Sequence, residues 1–338
     1  MTLAATVLIP THDHGPTLLR SVRSALGQTV AELEVFVIGD GVPDVTRELM
    51  AELTAADQRV RFFDHPKGPR HGERYRHAAL QEARGEVVCY LCDDDLWLPG
   101  HVEHLRELLR ESDFAHSLPF WIDPAGAIHP LRVDLSLPHF RALFLSGENR
   151  VPLSHAGHTL ELYRHLPEGW RTTPGGTYTD LYMFQQILAV PGCRVAAGAK
   201  ATVINLPSPE RRGWTLDERV AELDRYAARL AEPGFAADLT EQVTAAMAAD
   251  AAELEAAYGE LEDEARRVHA AAGELESRLR ESLAERAKVD ELASRLAEEL
   301  QTLSSSVTWR LRARLLAIPG LSRLLRAVAR ALAGPAGR

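Results

Sequence analysis

The chain has 338 residues, 46% of them apolar and 25% charged, a balance that supports a sizeable core and excludes a chain disordered throughout. Its formal charge of −10 excludes a general nucleic-acid binder, but the stretch from Val307 to Arg338 holds seven arginines and no acid, so a basic tail with its own partner follows an acidic body. Three cysteines make no disulfide framework, no run of about twenty apolar residues is long enough for a transmembrane helix, and Met1-Thr2-Leu3 leads straight into a strand, so the expectation is a cytoplasmic protein without a signal peptide.

Strand and helix patterns alternate over the first hundred residues. Ala5 to Ile9 is an apolar strand, and Leu18, Leu19, Val22 and Leu26 recur at helical spacing within Thr17 to Leu26. Glu34 to Ile38 is a second strand that stops at Gly39-Asp40-Gly41. Helices follow at Val45 to Leu53 and Arg74 to Ala83, with a short strand at Val60 to Phe63 between them and a last strand at Glu86 to Leu91. Such alternation predicts an α/β fold: a mostly parallel, Rossmann-like sheet with helices on both faces and ligands gathered at the carboxyl ends of the strands. Thr11, Asp40 and Asp93 to Asp95 all lie just past strand ends.

Asp93-Asp94-Asp95 is the costliest of these placements. Neighbouring carboxylates repel and raise each other's pKa, so three together suit a cation, and hard oxygen ligands favour Mg²⁺ or Mn²⁺. The competing reading is an acidic turn, with Asp95 as N-cap of the next helix. Cys89 and Cys92 have C-x-x-C spacing but point to opposite faces of a strand, which argues against a zinc site.

Taken in order, Ile9-Pro10-Thr11-His12-Asp13-His14, Gln28-Thr29, Gly39-Asp40-Gly41, Arg76-His77-Ala78-Ala79-Leu80, Ala83-Arg84-Gly85-Glu86 and the acids resemble the nucleotide-binding half of family-2 glycosyltransferases, which have the GT-A fold. The resemblance covers the first hundred residues and continues more weakly to about residue 210. It implies inverting transfer of a sugar from a nucleotide-diphosphate sugar to a hydroxyl of a glycan or lipid-linked acceptor, with a divalent metal (Mn²⁺ or Mg²⁺), in building a cell-surface glycan. By the resemblance, Asp94 is the metal-binding aspartate with Asp95 in support, Asp93 touches the ribose or the cation, Asp40 binds the base, and Pro10 and Thr11 line the same pocket. Arg70, Arg74 and Arg76 are candidates for the diphosphate, whose oxygens suit a guanidinium fork. The general base falls on Asp180, within Gly175-Gly176-Thr177-Tyr178-Thr179-Asp180. The chain departs from the family at Gly39, at Cys92 (where D-x-D-D begins with Asp) and at Thr179, where glutamate is common.

Other residues carry two readings each. His12 and His14 are metal ligands or loop residues near the nucleotide; Asp40 is alternatively a turn residue, and Asp180 a first-turn carboxylate favoured by the helix dipole. Trp170, Tyr178, Tyr182 and Phe184 face sugar or fill the core. His155 and His158 lie where the family contacts acceptors. The loop Pro207 to Trp214 closes over the donor with Arg211 or Arg212, or is a domain exit. Two rivals to the transferase stand: a non-catalytic sugar-nucleotide-binding scaffold, and a nucleotidyltransferase.

The domains are expected at 1–235 (1–100 for the nucleotide sugar, 101–235 for the acceptor), 236–306 and 307–338. In the second, Leu254, Tyr258, Leu261, Ala265, Val268, Ala272, Leu275 and Leu279 alternate at 4-3 spacing, and Val289, Leu292, Leu296 and Leu303 resume it after a phase change. This reads as a coiled coil making a homo-oligomer, with a hairpin bent near Gly273 as the alternative. In the third, Trp309 and the arginines suit an anionic membrane surface on the cytoplasmic side, or else the protein's own acidic body; Leu321, Leu324, Leu325, Val328 and Leu332 form its apolar stripe, with Arg323, Arg326 and Arg330 elsewhere.

Overall fold

The computed structural model describes residues 3–318, 320, 323, 324 and 326–328. Two compact units divide at Leu254 and Glu255. The first begins as a strand-helix alternation: β1 (Leu3–Thr11), α1 (Gly15–Leu26), β2 (Leu33–Asp40), α2 (Asp44–Ala56), β3 (Val60–His65), α3 (Glu73–Gln81) and β4 (Gly85–Tyr90). It continues with β5 (Leu96–Trp97), α4 (His101–Leu108), β6 (Phe114–His116), the hairpin β7 (Phe120–Ile122) and β8 (Ile128–Pro130), and α5 (Pro138–Ser146). Then come β9 (Ala156–Thr159), α6 (Leu160–Arg164), α7 (Thr179–Leu188), β10 (Val195–Ala197), β11 (Val203–Ile204) and α8 (Leu216–Leu230).

The main sheet has seven strands in the order β10-β6-β9-β4-β1-β2-β3, all parallel to their neighbours except β9, which runs antiparallel to both β4 and β6. Side chains of a strand alternate between faces, and here both faces are covered. Val7 and Ile9 of β1 and Val35 and Val37 of β2 enter one core with α1 residues Leu18 and Val22. Leu8, Phe36 and Ile38 enter the opposite core with Leu80, Tyr163 and Phe184. This two-sided burial is why the central strands read as unbroken apolar runs. Each sequence-predicted element of the first hundred residues is present, its ends within three residues of those expected.

α9 (Phe235–Ser305) is a single helix, continuous through Gly259 and Gly273, so the hairpin alternative does not form: a lone glycine costs a helix about 1 kcal/mol relative to alanine, too little to break one this long. Its first turns belong to the first unit, where Phe235, Leu239 and Val243 are buried against Leu96, Phe120 and Leu223. In the second unit, α10 (Val307–Ala317) follows, its N-cap Ser306 accepting from Trp309 N at 3.2 Å. Of the expected tail stripe, Leu321, Leu325, Leu332 and Arg330 lie outside the described residues. No helix among the described residues is long and apolar enough to cross a membrane.

Candidate functional site

Because β1, β2 and β4 are adjacent and parallel, their carboxyl ends open on one side, where a cavity of about 580 Å³ is lined by Pro10, Thr11, Asp40, Arg70, Arg76, Asp93, Asp94, Asp95 and Asp180. These nine sequence-predicted site residues therefore reach one place. Arg74, the third diphosphate candidate, does not: it is exposed on α3 and outside the cavity lining. His12, His14, Lys67, His71, Cys92 and Ser208 complete much of the wall.

At one end of the cavity, Asp40 is buried and both of its oxygens are engaged: Oδ1 accepts from Gly68 N at 2.6 Å and Oδ2 from Lys67 Nζ at 2.5 Å. His12 Nδ1 lies 2.6 Å from the Asp40 carbonyl oxygen. Gly72 closes the loop at φ 65°, where a Cβ would stand 2.7 Å from Asp40 Cγ, so this position requires glycine on two counts. The Thr11 hydroxyl is buried without a hydrogen-bond partner, as a group awaiting a ligand would be.

The three acids divide in role. Asp95 is 1% exposed and holds no free oxygen: Oδ1 accepts from Leu206 N at 2.8 Å, Oδ2 from Asn205 Nδ2 at 2.9 Å and Ser154 Oγ at 2.5 Å. It braces the cavity floor, and it is no N-cap, since α4 starts six residues later with Gly100 as its cap. Asp95, expected as a supporting metal ligand, also has a carboxylate oxygen in a group with Cys92 and Asp94 whose ligand atoms lie within 4.8 Å of one another. Asp94 Oδ2 accepts from Ser208 Oγ at 2.6 Å and pairs with Arg219 Nη2 at 2.7 Å, leaving Oδ1 uncommitted. Asp93 Oδ1 meets His14 Nδ1 at 3.0 Å, leaving Oδ2. Burial, then Asp93, raises Asp94, and burial, then Asp94, raises Asp95 above the usual carboxylate range. The hydrogen bond with Asp93 lifts His14 to about 9.

His14, Asp93 and Asp94 place one ligand atom each within 4.8 Å of one another. Two uncommitted carboxylate oxygens beside an imidazole form a donor set that fits a divalent cation, and the imidazole suits Mn²⁺ better than Mg²⁺. Cys92 offers no such service, because burial drives its thiol well above its usual pKa.

Asp180 sits in the first turn of α7. Its Oδ1 accepts from Asn149 Nδ2 at 2.9 Å and from Leu181 N at 2.8 Å, while Oδ2 has no hydrogen-bond partner among the described residues. Burial raises its pKa above the ordinary range, which makes it a stronger base than a solvated carboxylate. Arg76 lines the same cavity, 6% exposed, its guanidinium 4.8 Å from the Trp170 ring and its Nε unpartnered. Trp170 is fixed in turn by its Nε1, which donates to Tyr90 Oη at 3.0 Å. The rim is set by Glu73, fully buried, which accepts from His71 N and Thr173 N and so ties the Arg70 loop to the approach to α7.

Burial separates several of the paired readings. His155 and His158 are core residues: burial lowers the first to about 3 and the second to about 4, and His158 Nε2 is 2.6 Å from Tyr90 Oη. Arg211 is not free to close over a donor, being buried in a fork with Glu222 at 2.5 and 2.7 Å. Trp170 and Phe184 are core, whereas Tyr178 is exposed. Arg219 gave no sequence signal; it reads as one more solvated helix residue, and only the packing of α8 against α1 and β5 brings it to Asp94.

Comparison with known proteins bears on the family and the fold. Residues 6–156 match the family described as Glycosyl transferase family 2. The fold is also that of S. aureus TarS 1-349 in complex with UDP-GlcNAc, at a TM-score of 0.51 and 15% identity over 72% of each chain. Residues 6–156 are thus similar to family-2 glycosyltransferases, within a GT-A-like fold followed by a long helical extension. In sequence it is similar to an uncharacterized glycosyltransferase of Nostoc sp. (30% identical over 109 residues, 32% of this chain and 33% of that one). It is also similar to the GalNAc(5)-diNAcBac-PP-undecaprenol beta-1,3-glucosyltransferase of Campylobacter jejuni (29% over 113 residues, 32% and 35%). The matched stretch spans about a third of either relative.

Proposed function

We propose that the protein transfers a sugar from a nucleotide-diphosphate sugar to an acceptor hydroxyl with inversion. The observation that carries this is the single cavity holding Asp180, with one unengaged carboxylate oxygen and raised basicity, together with the acids and Arg76. Asp180 takes the acceptor's proton as the hydroxyl attacks the anomeric carbon. The C–O bond to the diphosphate breaks, and charge grows on the leaving group. Arg76 and Arg70 stabilise that charge, and the low dielectric around Arg76 strengthens its share. Asp93 and Asp94, with His14, would hold a divalent cation, which supplies Lewis-acid stabilisation of the same diphosphate. Pro10, Thr11 and the Asp40 loop receive the base and ribose.

The Campylobacter relative's name specifies a lipid-linked acceptor. A cytoplasmic-face glycan acceptor of that kind suits the tail, where Trp309 is 50% exposed on α10 beside Arg310, Arg312 and Arg314 and where a peripheral membrane contact is proposed. Vesicle sedimentation at physiological salt tests that part: the tail binds anionic vesicles and ignores neutral ones.

Calorimetry with UDP-, GDP- and dTDP-sugars, with and without Mn²⁺, tests the rest. Metal-dependent binding lost in Asp94→Ala, with slow donor hydrolysis, is the expected result. Binding without turnover supports the scaffold instead, and no binding to any donor refutes the reading.

A further inference from the structure

The apolar face of α9 has no cover among the described residues. Leu254, Leu261, Val268, Leu275 and Leu279 are all exposed, Leu261 at 69% and Leu275 at 65%, and the face resumes at Val289, Leu292, Leu296 and Leu303. The helix from Glu255 to Ser305 is about 75 Å long, and ion pairs such as Glu262–Arg266, Glu276–Arg280 and Glu291–Arg295 solubilise the surface around the stripe without covering it. A leucine row of that length in water calls for a partner of matching period.

We propose that the partner is a second copy of this chain, paired in parallel and in register as a two-stranded coiled coil. The 4-3 spacing puts Leu254, Leu261, Val268 and Leu275 at d and Tyr258, Ala265, Ala272 and Leu279 at a, so both strands present the same seam. The phase change, rather than the flanking charges, chooses the direction: parallel pairing opposes Glu264 to His269 but also Asp250 to Glu255, and antiparallel pairing opposes Glu262 to His269 but also Glu255 to Glu276, each twice per dimer. In parallel register the step between Leu279 and Val289 coincides in both copies, so both stretches of the seam are paired. Antiparallel pairing of Leu254 to Leu279 on itself would set Val289 to Leu303 against residues 230–244, where Leu239 and Val243 are already buried. The alanines at a leave a thin seam in which two helices approach closely, and charged e and g residues disfavour a third strand. From Leu279 to Val289 is ten residues, one heptad and three more, a stammer that overwinds the supercoil locally without reversing it.

This pairing is independent of the transferase reading. The test uses the full chain in sedimentation equilibrium, where twice the 37.3 kDa of one chain is expected. Leu261→Glu with Leu275→Glu gives a monomer, whereas Ala270→Glu with Ser277→Glu, on the outer face, leaves the dimer intact. Direction is read by mild oxidation: Tyr258→Cys alone forms a disulfide-linked dimer that the parent chain, with its three native cysteines, does not. A monomeric parent, a trimer or higher mass, a dimer that survives the seam substitutions, or cross-linking only when Tyr258→Cys is mixed with Leu275→Cys overturns the proposal.

Discussion

Arg219→Met removes the guanidinium from Asp94 while keeping an apolar stem of similar length. In the parent, Nη2 lies 2.7 Å from Asp94 Oδ2, Nη1 is 3.6 Å from Glu222 Oε2, and these side chains are at most 12% exposed. Breaking a buried pair by deleting one partner costs about 3–5 kcal/mol, so the variant melts lower by on the order of 10 °C. Its effect on cation affinity has the opposite sign. A divalent ion and a guanidinium sharing one carboxylate stand on the order of 5–6 Å apart, where Coulomb repulsion is about 1.5 kcal/mol in water and about 6 kcal/mol at a protein-like dielectric. Even the lower figure is about tenfold in affinity. Nucleotide-free Arg219→Met therefore binds Mn²⁺ at least about tenfold more tightly than the parent, measured by electron paramagnetic resonance titration of free Mn²⁺. Arg219→Lys, which keeps the charge, stays near the parent. Unchanged or weaker binding in a folded Arg219→Met would refute the view that Arg219 opposes the cation.

Asp180→Asn keeps donor binding and lowers turnover by about 10²–10⁴. In the parent, Asp180 must be deprotonated to act, so activity is full at high pH and falls as pH drops through its raised pKa, above the usual carboxylate value of 3.8; a pH–rate profile shows that limb. In metal-free protein, the His14 imidazole titrates at about 9 rather than 6.5, by NMR, and Asp93→Asn moves it back towards 6.5. The stability from this contact is complete below about pH 6.5 and is lost as pH rises through about 9. Tyr90→Phe strips partners from both His158 Nε2 and Trp170 Nε1 and costs about 2–3 kcal/mol in urea unfolding, since both are buried.

What the sequence made legible follows from where information is local. Parallel strands buried on both faces announce themselves as apolar runs, so β1, β2 and β4 could be read directly, and topology then fixed where Thr11, Asp40 and Asp93 to Asp95 meet. β9 was not legible: Ala156-Gly157-His158-Thr159 has no apolar run, and Gly157 is there because a Cβ would come within 3.0 Å of Val88 O. His158, polar in sequence, is buried because Tyr90 satisfies it from a neighbouring strand. Arg219 and Asp94 are 125 residues apart, and no local pattern distinguishes a guanidinium bound for a buried carboxylate from one bound for water. The division of labour among three identical acids was equally hidden, since it depends on which oxygens Leu206, Asn205, Ser154, Ser208 and Arg219 reach.

The saturation of Asp40 bears on any attempt to retune which nucleotide the cavity accepts. Both oxygens already hold the 67–68 segment, and Gly72 leaves no room for a larger neighbour. A substitution at position 40 alone would release Lys67 and Gly68 before it offered a new contact to a base. Selectivity at this end is thus a property of a folded loop rather than of one acid, and redesign has to exchange residues 67–72 together with Asp40 as a cassette.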